Sequence, residues 1–174
     1  SCASGRSLAL QMSIDALHGV QHLHEANVVH RDIAARNFLL DARYRAHVND
    51  FGLSVLSHDA ALDAAHLHSG NECLPLKNMA PEAMAGRAQV SSFKTDSFMC
   101  GYLLWEIHTG GLHPWTGVSA RQAATLVLEG KRPSCERIAN DSVRELIEKC
   151  WQADPLGRAS VESTLKGLEG ILNG

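Results

Sequence analysis

Asp32, Asn37 and Asp50 are the residues of this chain whose types and spacing most directly suggest chemistry. A carboxylate can orient an attacking hydroxyl, while an amide oxygen and a second carboxylate can hold magnesium ions that neutralise charge on a transferring phosphate. The three sit in a definite frame. Asp32 closes the run His30-Arg31-Asp32, Asn37 follows five residues later, and Asp50 opens Asp50-Phe51-Gly52. Such a constellation suits phosphoryl transfer. The residues ahead of His30 contain no lysine and no glycine-rich loop that could grip a nucleotide from the other side.

Rigid elements must position these groups. Over residues 7–25, Leu8, Met12, Ala16, Val20 and Leu23 share one helical face, and Leu10, Ile14 and Leu17 lie near the opposite one. That pattern predicts a helix buried on both sides. Val28 and Val29 lead into His30, and residues 38–40 and 46–48 predict two short strands joined across 41–44. The candidate chemistry then falls on loops bordering a small hairpin, where positioned polar groups are usually found.

Residues 54–75 are rich in Ala, His, Ser and Asp without an apolar period, and read as a long exposed loop. Residues 98–107 are apolar nearly all round and end at Gly110 and Gly111, which predicts a central buried helix. Three amphipathic helices are expected beyond it. The first is opened by Ser119 with Gln122 as a capping box and closed by Gly130. The second is opened by Ser142 with Glu145, carries Val143, Leu146, Ile147, Cys150 and Trp151 as its stripe, and stops at Asp154-Pro155. The last carries Val161, Leu165, Leu168 and Leu172 on one side.

At 174 residues and 45% hydrophobic, the chain is long enough for one core and too short for two ordinary domains. Its five cysteines are an odd number without a Cys-x-x-Cys pair, which argues against a disulfide framework and a zinc ribbon and fits a reducing, intracellular setting. A net charge of −3 without long runs of one sign does not indicate a nucleic-acid or membrane surface. No apolar stretch suggests a membrane span, and the start lacks a signal-peptide pattern. The chain begins with Ser1 rather than methionine, so it is expected to be cut from something longer or read from a partial reading frame.

The motifs together resemble the carboxy-terminal lobe of a protein kinase, of the tyrosine-kinase branch in particular, over nearly the whole chain. His30-Arg31-Asp32-Ile33-Ala34-Ala35-Arg36-Asn37 is similar to the tyrosine-kinase catalytic loop. Serine/threonine kinases place a lysine where Ala34 stands, and Arg36 supplies the cation instead. Pro75-Leu76-Lys77-Asn78-Met79-Ala80-Pro81-Glu82 resembles the segment that docks the acceptor residue. The expected fold is α+β, mainly α: one kinase-like lobe over residues 1–174, lacking the amino-terminal lobe, with a short β-hairpin carrying the catalytic and magnesium-binding loops.

The resemblance implies a transferase that moves the γ-phosphate of ATP to a protein tyrosine, with ATP and Mg2+ as cofactors. Asp32 and Arg36 are then catalytic, Asn37 and Asp50 hold magnesium, and Pro75, Leu76, Lys77 and Met79 dock the substrate. His30, Arg31, Phe51, Gly52, Glu82, Asp96 and Arg158 take structural or regulatory places: Glu82 pairs with Arg158, Asp96 braces the catalytic loop through its backbone, and Arg31 meets a phosphorylated loop. The implied partners are ATP and a protein bearing the acceptor tyrosine, with no nucleic acid and no membrane contact from this segment. The implied setting is cytoplasmic, as a cytosolic enzyme or the cytosolic part of a receptor. Residues 1–174 alone are expected to be inactive or very weak. The alternative is a non-catalytic, pseudokinase-like scaffold or truncated lobe that binds proteins.

Three departures stand out. No tyrosine or threonine lies between Asp50 and Glu82, where only Ser54, Ser57 and Ser69 could accept phosphate, so tyrosine autophosphorylation there is not supported. Asn78 and Phe98 each occupy a place where the family usually has tryptophan, and a buried amide at 78 must find partners or cost ~1 to 3 kcal/mol. Ten histidines raise a metal reading through the pairs His22/His24 and His66/His68. Residues two apart on a helix diverge, so the first pair is expected to be solvent-facing or capping rather than ligating.

Overall fold

The apolar run ahead of His30 folds as α1, Cys2–Glu25, in the computed structural model, which describes residues 2–57, 76–84 and 92–174. The helix starts at Cys2 rather than at the Ser7 that periodicity suggested. Leu10, Ile14 and Leu17 on one side and Ala16 and Val20 on the other are all buried, which gives the two-sided burial expected of it. Asn27, at φ 59°, turns the chain into β1, Val28–Val29. The predicted hairpin is present as β2, Phe38–Leu40, and β3, Ala46–Val48, paired antiparallel with Phe38 opposite Val48 and Leu40 opposite Ala46. Asp41 holds its turn by accepting from the Arg43 and Arg45 N–H groups at 2.8 and 2.9 Å.

One expectation needs correction here. Residues 54–75 were expected as loop throughout, but Val55–Leu56 form β4, antiparallel to β1, with Val28 opposite Leu56. Two residues carry no period of their own, so this strand exists only because β1 offers it a partner. The histidines His66 and His68 and Ser69 lie outside the described residues.

Beyond a short helix α2, Pro81–Met84, comes α3, Phe93–His108, the central element. Its apolar core residues Phe98, Met99, Tyr102, Leu103 and Leu104 are buried, as predicted, yet the helix begins five residues before Phe98, at Phe93. Ser92 caps that start: its hydroxyl accepts from the Lys94 N–H at 3.2 Å, and Thr95 Oγ1 accepts from the Ser92 N–H at 3.2 Å. α4, Ala120–Leu128, has the predicted Ser119/Gln122 capping box and ends before Gly130, whose φ of 82° requires glycine. α5, Asp141–Cys150, is capped by Asn140, which accepts from the Val143 N–H at 3.1 Å, so Ser142 lies inside the first turn rather than at the cap. α6, Val161–Asn173, is capped by Ser160.

α3 contacts both α1 and α5, and α1 contacts α6, so one core runs through the helices. A Cβ built on Gly101 would stand 3.1 Å from Cys150 Cβ, which shows how closely α3 and α5 approach. Two guanidinium groups lie over the Phe98 ring, Arg158 4.8 Å and Arg132 4.9 Å from its centroid. Where tryptophan was the family's usual residue, a smaller ring is held by two cations against its faces or edges.

Candidate functional site

The backbone of the His30-Arg31-Asp32 run is held from below by α3. The fully buried Asp96 carboxylate accepts the His30 N–H at 2.8 Å on Oδ2 and the Arg31 N–H at 2.9 Å on Oδ1. Arg31 has φ 69°, a left-handed conformation that non-glycine residues rarely adopt and that persists only where the surroundings enforce it. A carboxylate that takes two consecutive N–H groups is such an enforcing partner. The His30 ring is itself fully buried: Nε2 lies 3.3 Å from the Asn49 carbonyl, and Nδ1 accepts the Asp32 N–H at 3.3 Å. A carbonyl accepts and a backbone N–H donates, so the proton belongs on Nε2 and neither nitrogen is left to act as a base.

Asp32 and Asn37 form a locked unit on the loop that ends in the 3-10 turn Ala35–Asn37. Asn37 Nδ2 donates to Asp32 Oδ2 at 2.7 Å and to the Asp32 carbonyl at 2.7 Å. Arg36 Nη2 pairs with Asp32 Oδ1, and its side chain is half exposed, so this contact can open without cost to the core. The Asn37 carbonyl oxygen accepts the Asn49 N–H at 2.8 Å, which sets Asp50 beside the same loop. Asp50 is exposed at φ 57°, and its Oδ1 accepts the Gly52 N–H at 3.1 Å. The Phe51 ring lies 5.7 Å from the His30 ring and is half exposed.

This donor set fits magnesium. With the Asn37 amide nitrogen committed to Asp32, the side-chain oxygen is the ligand atom that remains, and Asp50 adds an exposed carboxylate; both are the hard oxygen donors that Mg2+ takes.

Sequence reasoning missed Glu106. This α3 residue is buried, and its Oε2 accepts the Ala35 N–H at 2.8 Å, so α3 holds the loop of residues 30–35 at both ends through two carboxylates. Burial raises its pKa above the usual value, and the Ala35 N–H offsets part of that. The one available signal was a charged residue within the otherwise apolar run of α3. Near it His108 is held down to about 4 by burial, with its Nε2 3.1 Å from the Ser13 hydroxyl.

The residues expected to dock the substrate are described from Leu76 onward. Leu76 and Lys77 are half-buried and Met79 is buried, while Pro75 lies outside the described residues. Asn78 is buried, and its Nδ2 has no partner among the described residues. Glu82 and Arg158 meet in a two-pronged pair, Nη2 to Oε2 at 2.6 Å and Nη1 to Oε1. The Arg158 guanidinium is completely enclosed and also donates to the carbonyls of Gln152 at 2.7 Å, Lys94 at 3.0 Å and Ala153 at 3.1 Å. The pair ties α2 to the start of α3 and to the turn after α5. His24, expected at the surface, is instead largely enclosed and bonded to Asp96, whereas His22 is exposed.

Comparison with known proteins bears on the family of the chain. Residues 4–168 match the family model for protein tyrosine and serine/threonine kinases. The mast/stem cell growth factor receptor Kit of Takifugu rubripes is 34% identical over 94% of this chain and 16% of the receptor. The human tyrosine-protein kinase ABL2 is 34% identical over 94% of the chain and 13% of that protein. Vascular endothelial growth factor receptor 3 of Mus musculus is 32% identical over 93% of the chain and 12% of the receptor. The chain thus spans less than a fifth of the length of these relatives.

Proposed function

The chain belongs to the protein tyrosine and serine/threonine kinase family, with the helical lobe of a tyrosine kinase and a transferase by descent, and on that premise we propose how its residues divide the work. Asp32 orients the acceptor tyrosine hydroxyl and takes its proton at a carboxylate oxygen. Arg36, swung from Asp32, offsets negative charge near the transferring group. Asn37 and Asp50 hold magnesium, which when bound neutralises charge on the phosphates of ATP. Pro75, Leu76, Lys77 and Met79 shape the groove for the protein substrate. Glu82, Arg158, Asp96, His30, Arg31, Phe51 and Gly52 keep these parts in register. The setting this implies is the cytoplasm.

The observation that carries the reading is the Asp32–Asn37 unit: the amide nitrogen points its bonds into Asp32 and so reserves the oxygen for a cation. Paramagnetic Mn2+ in place of Mg2+ tests it. Broadening of NMR signals from Asn37, Asp50 and Gly52 before the rest of the chain, lost in Asp50→Asn, is the expected result. Uniform broadening, or broadening that survives Asp50→Asn, would remove the metal role.

One apolar surface bears on how the lobe is completed. Leu39 on β2, Phe51 on the loop between β3 and β4, and Leu56 on β4 leave large apolar side chains exposed. We propose that these residues are covered when the lobe is joined to nucleotide-gripping segments, and that residues 1–174 alone bind nucleotide from one side only.

A further inference from the structure

The chain has two tyrosines, Tyr44 and Tyr102, and they lie in opposite surroundings. Tyr102 is in the middle of α3 with 0% of its surface exposed. Its ring packs on Phe98 and Trp151, with centroids 5.6 and 5.5 Å apart, and its hydroxyl has no hydrogen-bond partner among the described residues. Burial pushes its pKa up to about 12. No enzyme reaches that oxygen without opening the core. Tyr44 is the reverse case: it sits in the turn between β2 and β3 at φ 60°, with 58% of its surface exposed.

The turn holds Tyr44 in place from both sides. Its N–H donates to the Asp41 carbonyl at 2.9 Å, and the Asp41 N–H donates to the Arg45 carbonyl at 3.1 Å. Arg45 anchors the turn to α1, where its Nε and Nη2 donate to the enclosed Asp15 carboxylate at 2.6 and 2.5 Å. Arg43 is exposed, and its guanidinium makes no hydrogen bond or ion pair among the described residues. The three paired residues of β2 separate this turn from the Asp32–Asn37 unit by about 10 Å of strand at roughly 3.3 Å per residue, so Tyr44 cannot fold back to Asp32 of its own molecule. We propose that Tyr44 is a phosphorylation site, modified by a tyrosine kinase acting from another molecule. In that step the Tyr44 Oη bonds to the γ-phosphorus of ATP and the bond from that phosphorus to the bridging oxygen breaks. ADP leaves, and the phenol proton passes to a carboxylate of the acting enzyme. The phosphate is a surface mark and not a switch in the fold: Arg45 stays bound to Asp15, and the uncommitted Arg43 is the neighbour left to meet the new negative charge.

The proposal needs no transfer by residues 1–174 themselves, so the test supplies the enzyme. The chain is incubated with ATP, Mg2+ and, in separate reactions, the tyrosine kinases ABL2 and Kit, and intact mass and peptide mapping locate the phosphate. A single phosphate on Tyr44 is expected from at least one of the enzymes, with complete loss of phosphotyrosine in Tyr44→Phe and an unchanged level in Tyr102→Phe. The urea-unfolding midpoint of the phosphorylated chain is expected to match that of the unmodified one. Absence of phosphate on Tyr44 with both enzymes, or equal labelling of Tyr102 in the unmodified chain, would overturn the site. A midpoint that falls on phosphorylation would overturn the surface mark, because the phosphate would then have disturbed the tie between the turn and α1. A failed Mn2+ test leaves this result standing, since the metal assignment concerns Asn37 and Asp50 and not the acceptor.

Discussion

Glu106 and His108 stand two residues apart on α3, and burial pushes their ionisation in opposite directions. Glu106 is raised above its ordinary 4.5, so what it adds to stability is present below that value and is lost as pH rises through its folded-state pKa. His108 is lowered from 6.5 to about 4, so its contribution is present above 6.5 and is lost as pH falls toward 4. Glu106→Gln keeps an oxygen for the Ala35 N–H and is expected to gain stability relative to the unmodified chain as pH rises above 4.5. His108→Gln should instead flatten the loss between 6.5 and 4, a loss on the order of 3 kcal/mol at full extent. Urea-unfolding midpoints over a pH series check both signs. The Glu82–Arg158 pair offers a larger effect. Glu82→Ala strands an enclosed guanidinium, which typically costs about 3 to 5 kcal/mol, and the three carbonyls that remain around Arg158 place the expectation near the lower end. A melting temperature unchanged by Glu82→Ala would show that those carbonyls suffice.

At the scale of elements, α5 distinguishes a sequence pattern from the contact that forms. Ser142 and Glu145 have capping-box spacing, but Asn140 begins the helix because its side chain reaches the Val143 N–H. Asn140→Ala is therefore expected to cost about 1 kcal/mol, and Ser142→Ala a few tenths at most, by chemical denaturation. The reverse order would move the helix start. The hairpin shows the opposite case. β2 and β3 were legible residue for residue because apolar runs flank a turn around Asp41, and all the deciding contacts lie within one short window. α3 was legible only in its apolar part. Its first turn, Phe93 to Ser97, includes polar residues whose burial depends on α1 and the catalytic loop.

For the whole molecule, membership of the kinase family is set against a lobe that exposes Leu39, Phe51 and Leu56. Among the described residues no helix is long and apolar enough to cross a membrane. Purified residues 1–174 with ATP, Mg2+ and a tyrosine-containing peptide are expected to show at most trace transfer, since the contacts proposed for nucleotide come from one side only. Turnover on the order of 1 to 100 per second, as in ordinary kinases, would overturn that expectation.

The sequence by itself determined the family, the order of the helices, the hairpin and the spacing of Asp32, Asn37 and Asp50, because each is written in a short window by residue type and period. Only the tertiary structure decided what holds them. Ala35 meets Glu106 across 71 residues and His24 meets Asp96 across 72. None of these partners has a local pattern that names the other. A buried carboxylate must be satisfied by whichever donor the packing brings to it, and that donor is chosen by how α1, α3 and the catalytic loop come together.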